Sequence, residues 1–330
     1  MKVLITGATG FIGNHVTRMC LEQGDEVRVM VMPGEDRSPL DGMDVEFVEG
    51  NLLDPVSLRS CVDDVEGLYH LAAVYAVWTK DPNLQYKVNV EGARAMMDAA
   101  MDAGVKKIVF TSSIAAIGIN SDGEPANEET MFNCWEFAGE YVMSKFMSHH
   151  MVLGMVGKGL PATIVCPGFP FGPGDRMPTP TGKLIIGILQ GKMKNYFDGG
   201  LCAVDVRDVA RCHLLAMEKG GVGEVYLAAN KDGNMTQQAF AQLVGRIAEV
   251  PDVATQYVKP WVMKAAARMM EFWANLTGKP PMTTYKVSLM AMQTLYVDPS
   301  KAVNELGMPQ TPIETAVEDA AKWFRDNNYV

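Results

Sequence analysis

The first half of the chain alternates short apolar runs with longer stretches of helical periodicity. The strand-type runs are rich in Val, Ile and Leu, and they lie at Lys2–Thr6, Glu26–Met32, Val45–Val48, Gly67–Ala72, Lys106–Thr111 and Ala162–Cys166. Between them, helices are predicted from about Gly13 to Gln23 and at Val56–Val62, Pro82–Ala103 and Trp135–Val156. Strands that are separated by helices imply right-handed crossovers, so the pattern predicts a doubly wound α/β fold with a parallel sheet.

The composition of the sequence changes from Pro167 onward. Residues 167–182 are rich in Pro and Gly and are predicted to form a loop rather than a regular element. Beyond this loop, helices are predicted at Leu184–Gln190, Gln237–Ala248 and Pro260–Asn275, and one more strand at Gly223–Ala229. We therefore expect a second, smaller lobe after the loop, with the strand near 223–229 returning to the main sheet.

A Gly-rich turn joins the first strand to the first helix, where residues 6–13 are TGATGFIG. Gly7 allows the tight turn, Gly10 lets the backbone approach a pyrophosphate, and Gly13 lets the helix pack close to the sheet. The helix N-terminus adds free N–H groups for an anion. An ordinary tight turn is the alternative, but the strand–turn–helix context predicts dinucleotide binding. We therefore predict a Rossmann domain over 1–167 and a mainly substrate-binding C-terminal lobe over 168–330.

The residues that follow the second and third strands leave the type of dinucleotide open. The second strand ends at Met32, where an acid would bind a ribose 2′-hydroxyl and a base would bind a 2′-phosphate. The next residues, 33–37, contain both options, with acids at Glu35 and Asp36 and a base at Arg37. NAD and NADP therefore both remain open, with a slight preference for NADP through Arg37. Asn51 and Leu52 follow the third strand and could frame the adenine, or form a plain turn before Asp54.

Tyr141 and Lys145 form a YxxxK motif on a predicted helix, so their side chains lie one turn apart on the same face. A phenol has a pKa near ~10, and a nearby ammonium lowers it toward the range that a general acid or base needs. Taken alone, such a pair is more often a packing feature. Ser113, however, follows a predicted parallel strand at the sheet edge where open α/β sheets bind ligands, which favours a catalytic site.

Taken together, these motifs resemble those of the extended short-chain dehydrogenase/reductase superfamily. The motifs are TGATGFIG, HLAA at His70–Ala73, NVEG with Asn89, TSS at Thr111–Ser113 and YVMSK. Within the superfamily, PTPTGKLI, GLCAVDVRDVARCHLLAME and KWFR are most similar to dihydroflavonol 4-reductase-like proteins and hopanoid-associated sugar epimerases. The resemblance implies NAD(P)-dependent hydride transfer to or from a ketone, aldehyde or secondary alcohol, with a sugar-nucleotide epimerase or dehydratase as the alternative.

The resemblance also implies roles for individual residues. Tyr141 would exchange the proton of the substrate oxygen, Lys145 would bind the nicotinamide ribose and lower the pKa of Tyr141, and Ser113 would orient the carbonyl. The full set of predicted cofactor-binding residues is Gly7, Thr9, Gly10, Phe11, Ile12, Gly13, Met32, Arg37, Asn51, Leu52, Ala72, Ala73, Asn89, Thr111, Tyr141, Lys145, Pro167 and Phe169.

Two positions depart from the family's patterns. Related reductases often carry an Arg for the 2′-phosphate where this chain has Met32. Many sugar-nucleotide epimerases bind the diphosphate of the substrate with an Arg just before the VDV segment. In this chain the corresponding residues are Leu201–Asp205, and none of them is a cation. Since a diphosphate needs paired cations, the neutral run favours a carbonyl or alcohol substrate.

Composition narrows the remaining classes of function. The chain has 29 Lys and Arg against 39 Asp and Glu, a net charge of −10 that argues against a nucleic-acid partner. No apolar run approaches the ~20 residues of a membrane span. The six Cys and five His show no metal-ligand spacing, so no metal site is predicted. Scattered Cys residues without a secretory segment predict reduced thiols and a cytoplasmic location.

The helix predicted at Pro260–Asn275 is strongly amphipathic, and its large apolar residues include Trp261, Met270, Phe272 and Trp273. We expect it to pack its apolar face over the substrate cleft, which implies an apolar or aromatic substrate. A subunit interface in a homodimer and a membrane-surface helix are the two alternatives.

Overall fold

The computed structural model describes residues 1–330 and contains twelve strands. In chain order these are β1 (Lys2–Thr6), β2 (Glu26–Val31), β3 (Glu46–Glu49), β4 (Gly67–His70), β5 (Lys107–Thr111), β6 (Ala162–Pro167), β7 (Phe169–Phe171), β8 (Asn195–Tyr196), β9 (Gly200–Asp205), β10 (Val225–Ala228), β11 (Asn234–Thr236) and β12 (Gln256–Tyr257). Each strand predicted from the apolar runs is present, and most bounds shift by one or two residues.

Helices connect the strands. They are α1 (Phe11–Glu22), α2 (Pro55–Val62), α3 (Leu84–Tyr86), α4 (Ala93–Asp102), α5 (Glu140–Val156), α6 (Pro180–Leu189), α7 (Val206–Lys219), α8 (Gln237–Ile247), α9 (Pro260–Thr277), α10 (Tyr285–Ala291) and α11 (Ile313–Asp326). Short 3₁₀ turns occur at Ser38–Leu40 and Ile114–Ala116, and π-helical turns at Lys87–Gly92 and Ala302–Leu306.

The central sheet has seven strands in the order β10-β6-β5-β4-β1-β2-β3, and all of its strand pairs are parallel. Buried apolar residues cover both of its faces, one set contributed largely by α2, α4 and α5 and the other by α1 and α7. This confirms the predicted doubly wound fold. The order reverses between β1 and β4, and at such a switch point the carboxyl ends of the strands leave a crevice for ligands.

A smaller lobe packs beside the carboxyl edge of this sheet. It contains the three-stranded sheet β11-β9-β7, the pair β12-β8, and helices α6, α8 and α11 around their own apolar core. The two parts interleave along the chain: α7 packs against α1, β10 pairs with β6, and the helical turn Ala302–Leu306 packs against both α7 and β10.

Two helices and the predicted loop at 167–182 differ from the sequence prediction. The loop segment contains β7 and the first three residues of α6. The helix expected at Pro82–Ala103 is interrupted by the π-helical turn, within which Asn89 bonds to another segment and Gly92 packs against Leu52. A Cβ at Gly92 would lie 2.7 Å from the Cβ of Leu52. The helix expected from Trp135 begins only at Glu140, because Gly139 has an extended backbone. The residues before Gly139 form a separate turn, which is closed by hydrogen bonds to the carbonyl oxygen of Cys134.

Candidate active site

The Gly-rich turn brings β1, α1 and the loop after β4 into close contact. Gly7 has φ +74°, a left-handed conformation that favours glycine, and a Cβ there would lie 2.8 Å from Ala72 N. A Cβ at Gly13 would lie 2.1 Å from the carbonyl oxygen of Gly7, so helix and turn approach as closely as backbones can. No side chain caps the first turn of α1, which leaves its N–H groups available to an anion.

An acidic side chain lies beside this turn at the end of β2. Glu35 accepts a hydrogen bond from Thr9 Oγ1 at 2.6 Å and another from the Met32 N–H at 2.7 Å. Arg37 forms a salt bridge with Glu49 at 3.1 Å and stacks over Phe47, 5.0 Å from the ring centroid. The side chain that is fixed against the Gly-rich turn is therefore the carboxylate of Glu35. The slight preference for NADP depended instead on the guanidinium of Arg37.

Ser113, Tyr141 and Lys145 come together at the carboxyl ends of the central strands. Ser113 follows β5 and its Oγ accepts the Ala115 N–H at 3.1 Å, while Tyr141 and Lys145 lie in the first two turns of α5. The Lys145 ammonium is buried, donates to the carbonyl oxygen of Thr111 at 2.9 Å and lies 5.8 Å from the centroid of the Phe110 ring. Thr111 is in turn fixed through its Oγ1, 2.9 Å from His213 Nε2.

Burial changes the ionisation of both helix residues. It raises the pKa of the Tyr141 phenol to about 12, and a hydrogen bond with Ser113 only partly opposes this shift. It lowers the pKa of Lys145 to about 8. Lys145 is not among the causes of this Tyr141 pKa shift, so the lowering that we expected from it stays a prediction. At neutral pH the phenol is therefore protonated and the lysine is charged.

Asn89 connects the loop after β4 to helix α5. Its amide nitrogen donates to the carbonyl oxygen of Val74 and to Ser144 Oγ, both at 3.0 Å, and its Oδ1 accepts the Val74 N–H at 2.7 Å. It thereby holds the loop after β4 against α5. Tyr75 belongs to this loop, and its ring lies 4.5 Å from that of Tyr141, centroid to centroid.

A cleft of about 500 Å³ runs from the Gly-rich turn past Tyr141 into the smaller lobe. The predicted site residues that line it are Gly7, Gly10, Phe11, Ile12, Gly13, Ala73, Thr111, Ser113, Tyr141, Lys145, Pro167 and Phe169. The predicted residues outside its wall are Thr9, Met32, Arg37, Asn51, Leu52, Ala72 and Asn89. Asn51 accepts the Leu53 N–H within its own turn, which agrees with the plain-turn alternative.

Sequence reasoning missed several residues of the site. Glu35 is one of two acids in the 33–37 segment, and it was not singled out because no sequence signal shows which residue of that segment contacts the Gly-rich turn. The smaller lobe contributes Gln237, Lys286, Met290 and Tyr296 to the cleft wall, and no motif marks them.

The expectation that the amphipathic helix covers the cleft is wrong. None of the α9 residues lines the cleft, whereas Val287, Met290 and Ala291 of α10 do. The inward side of α9 is formed by the buried Ala267 and Ala274 and the half-buried Met263 and Met270, whereas both Trp residues and Phe272 point outward. The expectation failed because amphipathicity does not specify which face packs.

The structure also bears on the compositional predictions. All six Cys are buried and none forms a disulfide. No group of His, Cys, Asp and Glu side chains has the arrangement of a metal site. Among the helices, none is both long enough and apolar enough to cross a lipid bilayer.

Comparison with known proteins places these features in a family context. Residues 3–229 match the family described as "NAD dependent epimerase/dehydratase family". The matched span includes the Gly-rich turn, the three candidate catalytic residues and the returning strand β10.

Three similar proteins extend the match over the whole chain. A protein of Synechocystis sp. with the provisional name dihydroflavonol 4-reductase is 36% identical, over 99% of this chain and 95% of that protein. Sterol demethylase protein B of Methylococcus capsulatus is 34% identical over 100% of both chains. The crystal structure of gox2253 is 39% identical, covers 99% of both chains and superimposes with a TM-score of 0.88.

Proposed function

We propose, because this chain belongs to the NAD dependent epimerase/dehydratase family, that it is an NAD-dependent oxidoreductase of a ketone, aldehyde or secondary alcohol with an apolar body. The observation that carries this proposal is the wall of the cleft. Of its 38 lining residues 20 are hydrophobic, and the only cationic side chains are those of Lys145 and Lys286.

The same wall argues against a sugar-nucleotide substrate, because a diphosphate is normally held by paired cations. The Leu201–Asp205 run lies within β9 and is entirely buried. Arg207, the next cation along the chain, is engaged by Asp205 at 2.9 Å and by Asp319 at 2.8 Å. These contacts favour the oxidoreductase over the epimerase alternative.

The Gly-rich turn fits the pyrophosphate of a dinucleotide. At Gly7 and Gly13 the turn packs so closely on neighbouring backbone that there is no room for a side chain. The N–H groups at the start of α1, which no side chain caps, supply hydrogen-bond donors for the phosphates. When bound, the nicotinamide ring supplies or accepts the hydride. Lys145, held by Thr111, keeps its remaining N–H groups for the hydroxyls of the adjacent ribose.

Tyr141 and Ser113 would act on the substrate oxygen. Because burial keeps the phenol protonated at neutral pH, Tyr141 can give its proton to the oxygen of a carbonyl as the hydride adds to the carbon. The C–H and O–H bonds of the alcohol would form while the C=O π bond and the Tyr141 O–H bond break, with the hydride taken from a C–H bond of the reduced cofactor. Alcohol oxidation reverses each change. Ser113 lies beside Tyr141 in the cleft wall, so its hydroxyl can orient that oxygen.

The names of the relatives support an apolar substrate. One name refers to a dihydroflavonol and the other to a sterol, and both are ring compounds with much apolar surface. Beyond Tyr141, the wall of the cleft includes Val287, Met290 and Leu295, whose apolar side chains can pack against such a molecule.

A substrate panel tests the proposed function. The purified protein is mixed with NADH or NADPH and a series of apolar ring ketones, and with the oxidised cofactors and the matching alcohols. We expect a substrate-dependent change in the near-ultraviolet absorbance of reduced nicotinamide. Firmly retained cofactor, no net absorbance change, and epimerisation of a sugar nucleotide would overturn the proposal.

We also propose that Glu35 makes NAD the preferred cofactor. Its carboxylate is fixed between Thr9 and the Met32 N–H, beside the turn where the adenosine ribose is expected. A carboxylate accepts a hydrogen bond from a 2′-hydroxyl and repels a 2′-phosphate. The proposal reverses the slight preference for NADP that Arg37 suggested.

Replacing Glu35 tests this preference. We expect Glu35→Ser to raise the NADP-to-NAD ratio of kcat/KM by about tenfold or more, because the like-charge repulsion is removed. Met32→Arg alone is expected to shift the ratio less, since the new guanidinium would pair with Glu35. Asp36→Ser is the matched control, because the Asp36 carboxylate accepts the Ser38 N–H instead. An unchanged ratio in Glu35→Ser would contradict the assignment.

A further inference from the structure

The outward face of α9 consists of large apolar side chains. Six of them are exposed by 38% to 68%, and at 100° per residue they fall within an arc of about 120°. These are Trp261, Val262, Met269, Phe272, Trp273 and Leu276. Because the helix packs on the protein through its opposite side, with Ala267 and Ala274 buried and Met263 and Met270 half-buried, this face is left without a partner.

We propose that this outward face of α9 docks onto an anionic lipid surface, an interaction that goes beyond the proposed function. A contiguous exposed apolar patch of this kind marks an interaction site rather than ordinary surface. Trp and Phe side chains are favoured at the boundary between headgroups and acyl chains, where a helix can lie in the plane of the membrane.

The charges around α9 indicate which kind of partner binds its outward face. Residues 259–286 carry five basic side chains against the single acid Glu271, in a chain whose net charge is −10. Glu271 is itself engaged by the Tyr285 N–H at 3.1 Å, and Arg268 lies over the Tyr285 ring. An apolar face within a basic surround complements anionic headgroups, whereas the rest of the molecule is repelled by them.

The same charge argues against a second copy of this chain as the occupant. A two-fold interface places the same patch on both subunits, so the basic residues around one α9 would oppose those around the other. Such like-charge juxtaposition is costly, while anionic lipid neutralises it.

The position of α9 gives the docking a consequence for the cleft. Helix α10 packs against α9 and contributes Lys286, Val287, Met290 and Ala291 to the cleft wall. Docking of α9 would therefore place this wall close to the lipid. An apolar substrate dissolved in the bilayer would then reach the cleft without crossing much water.

Vesicle cosedimentation of the full chain tests the proposal. We expect the protein to pellet with phosphatidylcholine vesicles containing about 30% phosphatidylglycerol, to remain in the supernatant with phosphatidylcholine alone, and to be released by salt. Leu276→Ser and Trp273→Ser should each weaken pelleting by about tenfold or more. Lys264→Gln combined with Lys279→Gln should weaken it without changing any apolar residue.

Val222→Ser is the matched control, since Val222 is 62% exposed against 67% for Leu276 but lies in the loop before β10. It should pellet like the unmodified protein, and all variants should keep their melting temperatures. Equal binding to neutral and anionic vesicles, or no binding to either, would overturn the proposal. So would a dimer in solution that Leu276→Ser dissociates, because the face would then be a subunit interface.

Discussion

Replacing Tyr141 with phenylalanine is expected to remove nearly all turnover while cofactor affinity stays nearly unchanged. Only the phenolic oxygen carries the proton, whereas the ring, which packs against Tyr75, is retained. Loss of a positioned acid typically lowers the rate by about 10²–10⁴-fold. The measurement is kcat with the best substrate of the panel, together with the dissociation constant of the cofactor from fluorescence titration.

Tyr75→Phe provides the matched control for this prediction. Its ring lies 4.5 Å from that of Tyr141 and faces the same cleft, but the proposed mechanism gives its hydroxyl no role. We expect Tyr75→Phe to keep most of the activity. If it were inactive while Tyr141→Phe turned over normally, the proton donor would have to be reassigned to Tyr75.

The second large effect is expected at Lys145. Lys145→Met should weaken cofactor binding and lower kcat together, because one buried ammonium holds the ribose and, through it, the alignment of the reacting atoms. Lys286→Met is the control, since Lys286 is the other cation of the cleft wall and its Nζ donates to the Glu136 carbonyl oxygen. A Lys145→Met variant with normal cofactor affinity would contradict the ribose role.

The pH dependence of binding gives a further test of the same residue. Burial lowers the pKa of Lys145 to about 8, so the ammonium loses its charge as the pH rises through that value. We expect cofactor affinity to be highest below about pH 8 and to fall above it. Lys145→Arg, which remains charged, should bind with a flat profile over the same range, and a wild-type profile equally flat would contradict the assignment.

Local sequence signals predicted the large domain well. The strand–turn–helix unit at residues 2–23 and the parallel strands that follow depend on nearby features: β-branched runs, glycines at turns and alternating periodicity. The catalytic candidates were found for the same reason. Thr111–Ser113 follows a strand, and Tyr141 and Lys145 share a helix face, so sheet geometry alone brings them to one edge.

The features that the sequence could not specify depend on packing between distant segments. The π-helical turn around Asn89 depends on a bond to Val74 and on the close approach of Gly92 to Leu52. The carboxylate of Glu35 reaches the Gly-rich turn only because the chain after β2 bends back toward Thr9. Neither contact has a local signature.

The return of β10 to the central sheet affects how proteins of this design can be recombined. A single junction after residue 167 would separate β10 and α7 from the large domain, leaving β6 as a bare edge strand and exposing one face of the sheet. The helical turn Ala302–Leu306 crosses back as well. The smaller lobe therefore cannot be exchanged as an independent unit. Substrate specificity in such chains is more readily changed by substitutions at the cleft wall than by domain exchange.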